Sequence, residues 1–207
     1  HQEGYKFLVI SGILTLILWS ISDFFGFAFV LITIWVYYFF RDPERVCIDD
    51  ENYLSSPADG RISSIQEING PVELGLESKK FTRVSIFMNV FDCHVNRSPV
   101  NGEIQDIFYK PGKFLNASLD KASYENERNY FKLKDNKTGD SIVVVQIAGL
   151  IARRIVTQVE KRNTVKQGQR IGMIRFGSRV DIYYSKRKTL VKVGQNVIAG
   201  ESLIASF

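Results

Sequence analysis

The stretch "QRIGMIRFGSRVDIYY", residues 169–184, decides how the chain is read. Residues 171–175 and 179–184 are rich in β-branched and aromatic side chains and read as strands. Gly177 and Ser178 interrupt them, with Arg175 and Arg179 on either side. A glycine in a strand pattern ordinarily marks a bulge or a close backbone approach, and serine is an ordinary neighbour. The Gly177-Ser178 pair therefore carries either a local structural feature or chemistry, and the rest of the chain decides which.

Working outward, "GRISSI" (60–65), "FTRVSIFMNV" (81–90), "GEIQDIFYK" (102–110), "SIVVVQIAG" (141–149), "IARRIVTQV" (151–159) and "TLVKVG" (189–194) also read as strands, separated by Gly, Pro and Asn turns. Residues 116–131 read mostly as loop, because Asn, Ser and Asp are frequent and no apolar face is sustained. Two internal echoes stand out. "SPADGRISSI" (56–65) resembles "SPVNGEIQDI" (98–107), and "VKQGQRIGMI" (165–174) resembles "VKVGQNVIAG" (191–200). Each pair reads as a polar turn followed by a strand, so either duplicated hairpin units or shared turn chemistry explains it. Asp59 of the first copy becomes Asn101 in the second. A turn accepts either residue; chemistry that needs a carboxylate accepts only Asp59.

The N-terminus has a different texture. "FLVISGILTLILWSI" (7–21) and "FFGFAFVLITIWVYYFF" (24–40) are nearly unbroken apolar runs, separated by Ser22 and Asp23. One helix over both would extend roughly 50 Å, well beyond a hydrocarbon core of about 30 Å. A tight hairpin, crossing or re-entering the membrane, fits better than one straight helix; a single tilted span with an interfacial extension is the alternative. No small-x-small cleavage motif follows, which argues against a removable signal. Lys6, Arg41 and Arg45 flank the runs, and the positive-inside rule then places the following domain in the cytoplasm. The division expected is an anchor and juxtamembrane segment over residues 1–45 and a mainly β domain over 46–207.

With 207 residues, 45% of them hydrophobic, the chain is long enough for one well-buried domain and is not disordered in composition. Its net charge is +5, and the part after residue 40 is one charge more positive. Such an excess suits nucleic acid, anionic membrane or anionic substrates, but no nucleic-acid recognition module is evident. Two cysteines make no disulfide framework, and two histidines, His1 and His94, rule out a His-rich metal site. His94 is thus the one internal imidazole available for proton transfer near neutral pH, against a structural or surface role.

Asp59, "MNVFDCHVNRSPVNG" (88–102), "GKFLNASLDKASYENERN" (112–129), "QIAGLIARRI" (146–155) and "RFGSRVDIYY" (175–184), in that order behind a hydrophobic anchor, resemble the phosphatidylserine decarboxylase family in its short membrane-anchored form. The resemblance implies a compact β domain with internal pseudo-repeats and a proenzyme that cuts its own backbone between Gly177 and Ser178. It implies a β chain, 1–177, and an α chain, 178–207, that stay associated, with a pyruvoyl group made from Ser178 and neither pyridoxal phosphate nor a metal. The activity implied is decarboxylation of phosphatidylserine to phosphatidylethanolamine and CO2 at a bacterial cell membrane, on its cytoplasmic side. Phosphatidylserine and anionic membrane lipid are the partners, a homodimer is compatible with the family, and no nucleic acid is involved. Another serine-headgroup lipid, such as archaetidylserine, is the alternative substrate, and a noncatalytic lipid-binding module the alternative role.

The chemistry suits these residue types. A serine hydroxyl is a weak nucleophile and needs a base, and a glycine before it presents no side-chain obstacle. In the resemblance Asp59 orients His94, which serves Ser178, by acid–base–nucleophile logic. Long forms of the family carry a second histidine where this chain has Arg97. Arg97 stays protonated and suits anion recognition, not base catalysis. Arg97, Arg153 and Arg154 are therefore candidates for the substrate's phosphate or carboxylate, or for ion pairs that only hold the fold. Phe87, Met88, Val90 and Phe91 are candidates for a lipid-facing pocket, or equally describe a buried strand.

Overall fold

The two apolar runs form two helices, α1 (Tyr5–Ile21) and α2 (Asp23–Phe39), each of 17 residues. Ser22 between them is extended (φ −163°, ψ 135°), so the helix reverses there instead of continuing. The pair is antiparallel. Thr15 and Thr33 share a hydroxyl hydrogen bond of 3.0 Å, and Trp19 packs so closely on Gly26 that a Cβ there would lie 2.7 Å from its ring. Small residues at a helix–helix seam permit such close approach. The outer side chains, Leu16, Ile21, Phe24 and Tyr37 among them, are more than two-thirds exposed. The helical stretch Gln2–Ile21 is long and apolar enough to cross a membrane, and α2 is slightly shorter.

The computed structural model describes residues 1–115, 125–150, 154–176 and 178–207, and the chain divides into the units His1–Glu44 and Arg45–Phe207. Among the described residues the second unit forms fourteen strands: β1 (Tyr53–Ser55), β2 (Gly60–Asn69), β3 (Lys80–Met88), β4 (Val95–Arg97), β5 (Gly102–Lys110), β6 (Arg128–Asp135), β7 (Ser141–Ala148), β8 (Arg154–Thr157), β9 (Thr164–Val165), β10 (Arg170–Arg175), β11 (Ser178–Tyr184), β12 (Lys188–Thr189), β13 (Asn196–Val197) and β14 (Leu203–Ser206). Eight make one antiparallel sheet in the order β13-β2-β3-β11-β7-β6-β5-β9. Two three-stranded sheets, β1-β14-β12 and β4-β10-β8, supply further core residues. Val84, Ile86, Val144, Val180 and Ile182 of the large sheet are buried with Leu54 of β1, Ile155 of β8, Ile171 of β10 and Ile204 of β14. The fold is mainly β behind a helix pair, as the sequence implies.

Two strand assignments need correction. Residues 128–131, read above as loop, begin β6, because their polar side chains find partners in the sheet. Asn129 Nδ2 donates to Gln146 Oε1 at 3.2 Å and to Thr157 Oγ1 at 3.3 Å, while Tyr130 and Phe131 are buried. Of "TLVKVG" only Thr189 lies in a strand, at the end of β12; Lys192 then enters a turn closed by the Gln195 N–H donating to its carbonyl at 3.1 Å. Residues 116–124, 151–153 and 177 lie outside the described residues.

The echo of 56–65 in 98–107 is a repeat in space. Ser56 Oγ donates to the Ala58 carbonyl and Ser98 Oγ to the Val100 carbonyl, each at 2.7 Å. The following strands bulge at matching places, between Ile62 and Ser64 and between Ile104 and Asp106, and bulges bend the sheet. Each gains a short edge strand, with Val197 opposite Gly60 and Val165 opposite Gly102. The second echo has a different meaning. Residues 166–169 and 192–195 share a turn in which Gln169 Oε1 and Gln195 Oε1 accept the Lys166 and Lys192 N–H groups. The spatial counterpart of 192–200, however, is 160–168: the Ile62 N–H donates to the Gln195 carbonyl and the Ile104 N–H to the Asn163 carbonyl, both at 2.9 Å. The sequence echo therefore reports turn chemistry, and the structural repeat lies one turn earlier.

Gly168 and Gly200 are equivalent in this repeat. Their N–H groups donate to the Ser98 and Ser56 carbonyls, both at 2.8 Å, and their φ values are +77° and +79°. Cys47 fills the space against them, and a Cβ on Gly168 would collide with its Sγ. Gly168→Ala is expected to cost about 3 kcal/mol through overpacking and left-handed strain, lowering Tm by roughly 6–12 °C. Gly75, also left-handed (φ +63°) but with open space around it, is the control: Gly75→Ala is expected to cost only about 1 kcal/mol and 2–4 °C. Thermal unfolding of both full-length variants checks the contrast.

Candidate active site

Met88 ends β3, and the chain turns sharply at Asn89–Asp92. The Asn89 N–H donates to Asp92 Oδ2 and the Phe91 N–H to Asn89 Oδ1, both at 2.8 Å. This Asx turn aims Phe91 outward, 62% exposed, and returns the chain inward so that Cys93 and His94 are buried. His94 Nδ1 lies 3.0 Å from the Asp92 carbonyl. A carbonyl only accepts, so the neutral ring carries its proton on Nδ1 and its lone pair on Nε2. The His94 carbonyl in turn accepts the Ile174 N–H at 3.2 Å, tying the histidine to β10, the strand that leads into residue 177.

Ser178 opens β11, paired with Met88 on one side and Ala148 on the other. It is fully buried, and its Oγ donates to Met88 Sδ at 3.3 Å. Just before it, Phe176 takes φ +64°, a conformation a bulky residue rarely adopts. Gly177 lies outside the described residues.

Asp59 sits in the turn before β2. Its Oδ1 accepts the Ala199 N–H at 2.8 Å and its Oδ2 accepts Arg45 at 2.7 Å. In the other copy of the repeat Asn101 Oδ1 accepts the Gln167 N–H, also at 2.8 Å. One oxygen of Asp59 therefore does the turn's structural work, and only the second distinguishes it from Asn101. Asp59 lines a pocket of about 450 Å³ with Phe87, Asn89 and Asp92, so the carboxylate and the histidine-bearing turn share one space. Among the described residues no hydrogen bond joins Asp59 to His94 or His94 to Ser178.

The remaining candidates part company. Arg97 is buried and donates to the Gly168 carbonyl at 2.9 Å, which braces the repeat. Arg154 is exposed on β8, directly across from Arg175 on β10. Arg153 lies outside the described residues. Phe87 lines the Asp59 pocket, Met88 is in the core against Ser178, Val90 is half-buried and Phe91 faces outward. Sequence reasoning missed a buried amide chain beside Met88: Asn96 Nδ2 reaches its sulfur at 4.0 Å, Gln146 Nε2 donates to Asn96 Oδ1 at 2.8 Å, and Asn129 follows. Gln146 inside the apolar run "VVVQIA" was the one available signal, since a buried amide needs partners.

Comparison with known proteins bears on this arrangement. The family model described as phosphatidylserine decarboxylase matches residues 32–205. The chain is 63% identical over 205 residues to the phosphatidylserine decarboxylase proenzyme of Pelagibacter ubique, covering 99% of this chain and 95% of that one. It is 50% identical over 206 residues to the proenzyme of Cereibacter sphaeroides (99% and 88% covered) and over 208 residues to that of Rickettsia typhi (100% and 90%). The chain belongs to the phosphatidylserine decarboxylase family.

The repeat gives a test of Asp59. Asp59→Asn keeps the acceptor for the Ala199 N–H and loses only the Arg45 ion pair, about 1 kcal/mol. Asp59→Ala leaves a buried N–H unpaired and costs about 2–3 kcal/mol. Thermal unfolding is expected to rank the variants in that order, so that any loss of function in Asp59→Asn is chemical and not a folding defect.

Proposed function

We propose that this chain cleaves itself between Gly177 and Ser178, converts Ser178 to a pyruvoyl group, and decarboxylates phosphatidylserine to phosphatidylethanolamine. The observation that carries the reading is the position of Ser178 at the first rung of a strand paired on both edges. A cut there leaves 178–207 held by β11 between β3 and β7, by β13 against β2 and by β14 against β1. The new chain end thus stays fixed inside the fold.

In the cleavage, Ser178 Oγ attacks the Gly177 carbonyl carbon, and an ester forms as the peptide C–N bond breaks and the released amine takes the hydroxyl's proton. Loss of the Ser178 Cα proton then expels the Gly177 carboxylate by β-elimination. Water hydrolyses the resulting dehydroalanine to the ketone, with release of ammonia. His94 is the proton carrier through Nε2, because the Asp92 carbonyl holds its other nitrogen. Asp59, in the pocket beside the same turn, favours the protonated imidazole.

The position suits a small uncharged group, since Ser178 is buried against the Met88 thioether. The pyruvoyl ketone supplies a sink for the electrons freed when CO2 leaves. Arg154, exposed opposite Arg175, is better placed for the headgroup anion than Arg97, which is occupied with Gly168. Phe87, in the Asp59 pocket, offers apolar surface to the lipid. The apolar helix pair embeds in a bacterial membrane, with Lys6, Arg41 and Arg45 directing the β domain to the cytoplasmic side.

Denaturing intact-mass analysis is expected to find two pieces divided at 177/178, the second blocked by a pyruvoyl group. Ser178→Ala is expected to remain one chain and to lose phosphatidylserine turnover. Uncut wild-type protein with normal turnover, or normal turnover by Ser178→Ala, would refute the reading.

A further inference from the structure

The outer face of the large sheet carries an arrangement that the proposed chemistry does not use. Ser178, Val180 and Ile182 share one face of β11, and Arg179, Asp181 and Tyr183 take the other, following the two-residue alternation of a strand. On that second face Arg128 stands directly opposite Lys110, and Ile147 is the cross-strand neighbour of both Arg128 and Arg179. Like charges directly opposed across a ladder repel. Two carboxylates offset part of this. Asp181 binds Arg179 through both oxygens, at 2.7 and 2.9 Å, and Glu73 binds Lys110 at 2.9 Å.

A groove of about 550 Å³ opens at this place, lined by Lys80, Arg83, Lys110 and Arg128, with Glu73 the one carboxylate on its wall among the described residues. Arg83 is only 5% exposed; its Nε makes no hydrogen bond, and its ion pair is a long one, 4.0 Å to Asp181, which also chelates Arg179. The Arg83 Nη2 donates to the neutral side-chain amide oxygen, Oε1, of Gln66. Tyr130 and Tyr183 add two phenols to the wall. Burial pushes both phenols up, Tyr183 to about 12, so they remain neutral hydroxyls. The wall therefore brings four cationic side chains together with a single lining carboxylate among the described residues, on the opposite face from Ser178. Arg83 pairs with Tyr183, five residues along β11 from Ser178, which places it roughly 17 Å along the strand.

From this geometry we infer that the groove is a second anion site, which takes a phosphate group carried on a small polar head. Guanidinium forks and ammonium groups around neutral hydroxyls match the oxygens of a phosphate. The volume exceeds that of a bare phosphate and leaves room for the group attached to it. The phosphate comes either from a lipid headgroup or from a soluble phosphate ester, and the binding needs none of the Ser178 chemistry.

The test uses the full chain in phosphatidylcholine nanodiscs, titrated with sodium phosphate against sodium chloride at matched ionic strength, with Tm as the readout. Phosphate is expected to raise Tm saturably beyond chloride. Lys110→Gln, at a half-exposed position that tolerates the change, is expected to weaken the apparent affinity about tenfold, and Arg83→Gln at least as much. In a second arm phosphatidylglycerol replaces part of the phosphatidylcholine. A Tm rise without added phosphate, lost in Lys110→Gln, identifies a lipid headgroup, whereas a response to phosphate alone identifies a soluble ester. Repeating the titration on Ser178→Ala protein separates this site from self-cleavage. No rise beyond chloride, a rise that Lys110→Gln leaves unchanged, or a Lys110→Gln change from dimer to monomer by light scattering would overturn the inference.

Discussion

Strand β11 is hydrogen-bonded along both edges, to β3 through Ser178–Tyr184 and to β7 through Ser178–Tyr183. Each such bond contributes only about 1 kcal/mol net, but leaving a buried backbone group unpaired costs more. A strand clamped on both sides from Ser178 to Tyr183 therefore has no cheap way to leave. That constraint organises the rest. It buries Val180, Ile182 and Tyr184 in the main core, turns Arg179 and Asp181 to the opposite face, and holds Ser178 against Met88 and Ala148. A bond broken just before the strand would leave the sheet intact.

Much of this was legible in the sequence because it rests on periodicity. The apolar runs reveal the helix pair, and Ser22-Asp23 marks its reversal. Alternation in "RVDIYY" reveals β11, and the short β-branched apolar run in "SIVVVQIA" reveals β7. Strand β6 was not legible, because Arg128 and Asn129 look like loop residues until Gln146 and Thr157, distant in sequence, supply their partners. The echo between 56–65 and 98–107 announced a spatial repeat correctly. The echo between 165–174 and 191–200 announced a turn type, since a glutamine amide closing on a lysine N–H recurs wherever that turn is needed.

The candidate site divides along the same line. Chemistry-bearing residue types, Ser178, His94 and Asp59, were visible as residues out of keeping with their surroundings. Their geometry was not. That Asp59 and Asn101 do the same backbone work became visible only when Ala199 and Gln167 fell into equivalent places. That Arg97 spends its guanidinium on the Gly168 carbonyl depends on a contact 71 residues away. A single chain also places two unlike surfaces on one strand: an inner face with a buried hydroxyl and an outer face with a cationic groove.

Under the proposed cut at 177/178, β11 holds both pieces in one structure. Native mass spectrometry of the purified protein tests it most directly. One folded species containing both 1–177 and 178–207 is expected, the two pieces separating only on denaturation. Loss of the 178–207 piece under native conditions, or a species composed only of unbroken chain, would contradict it.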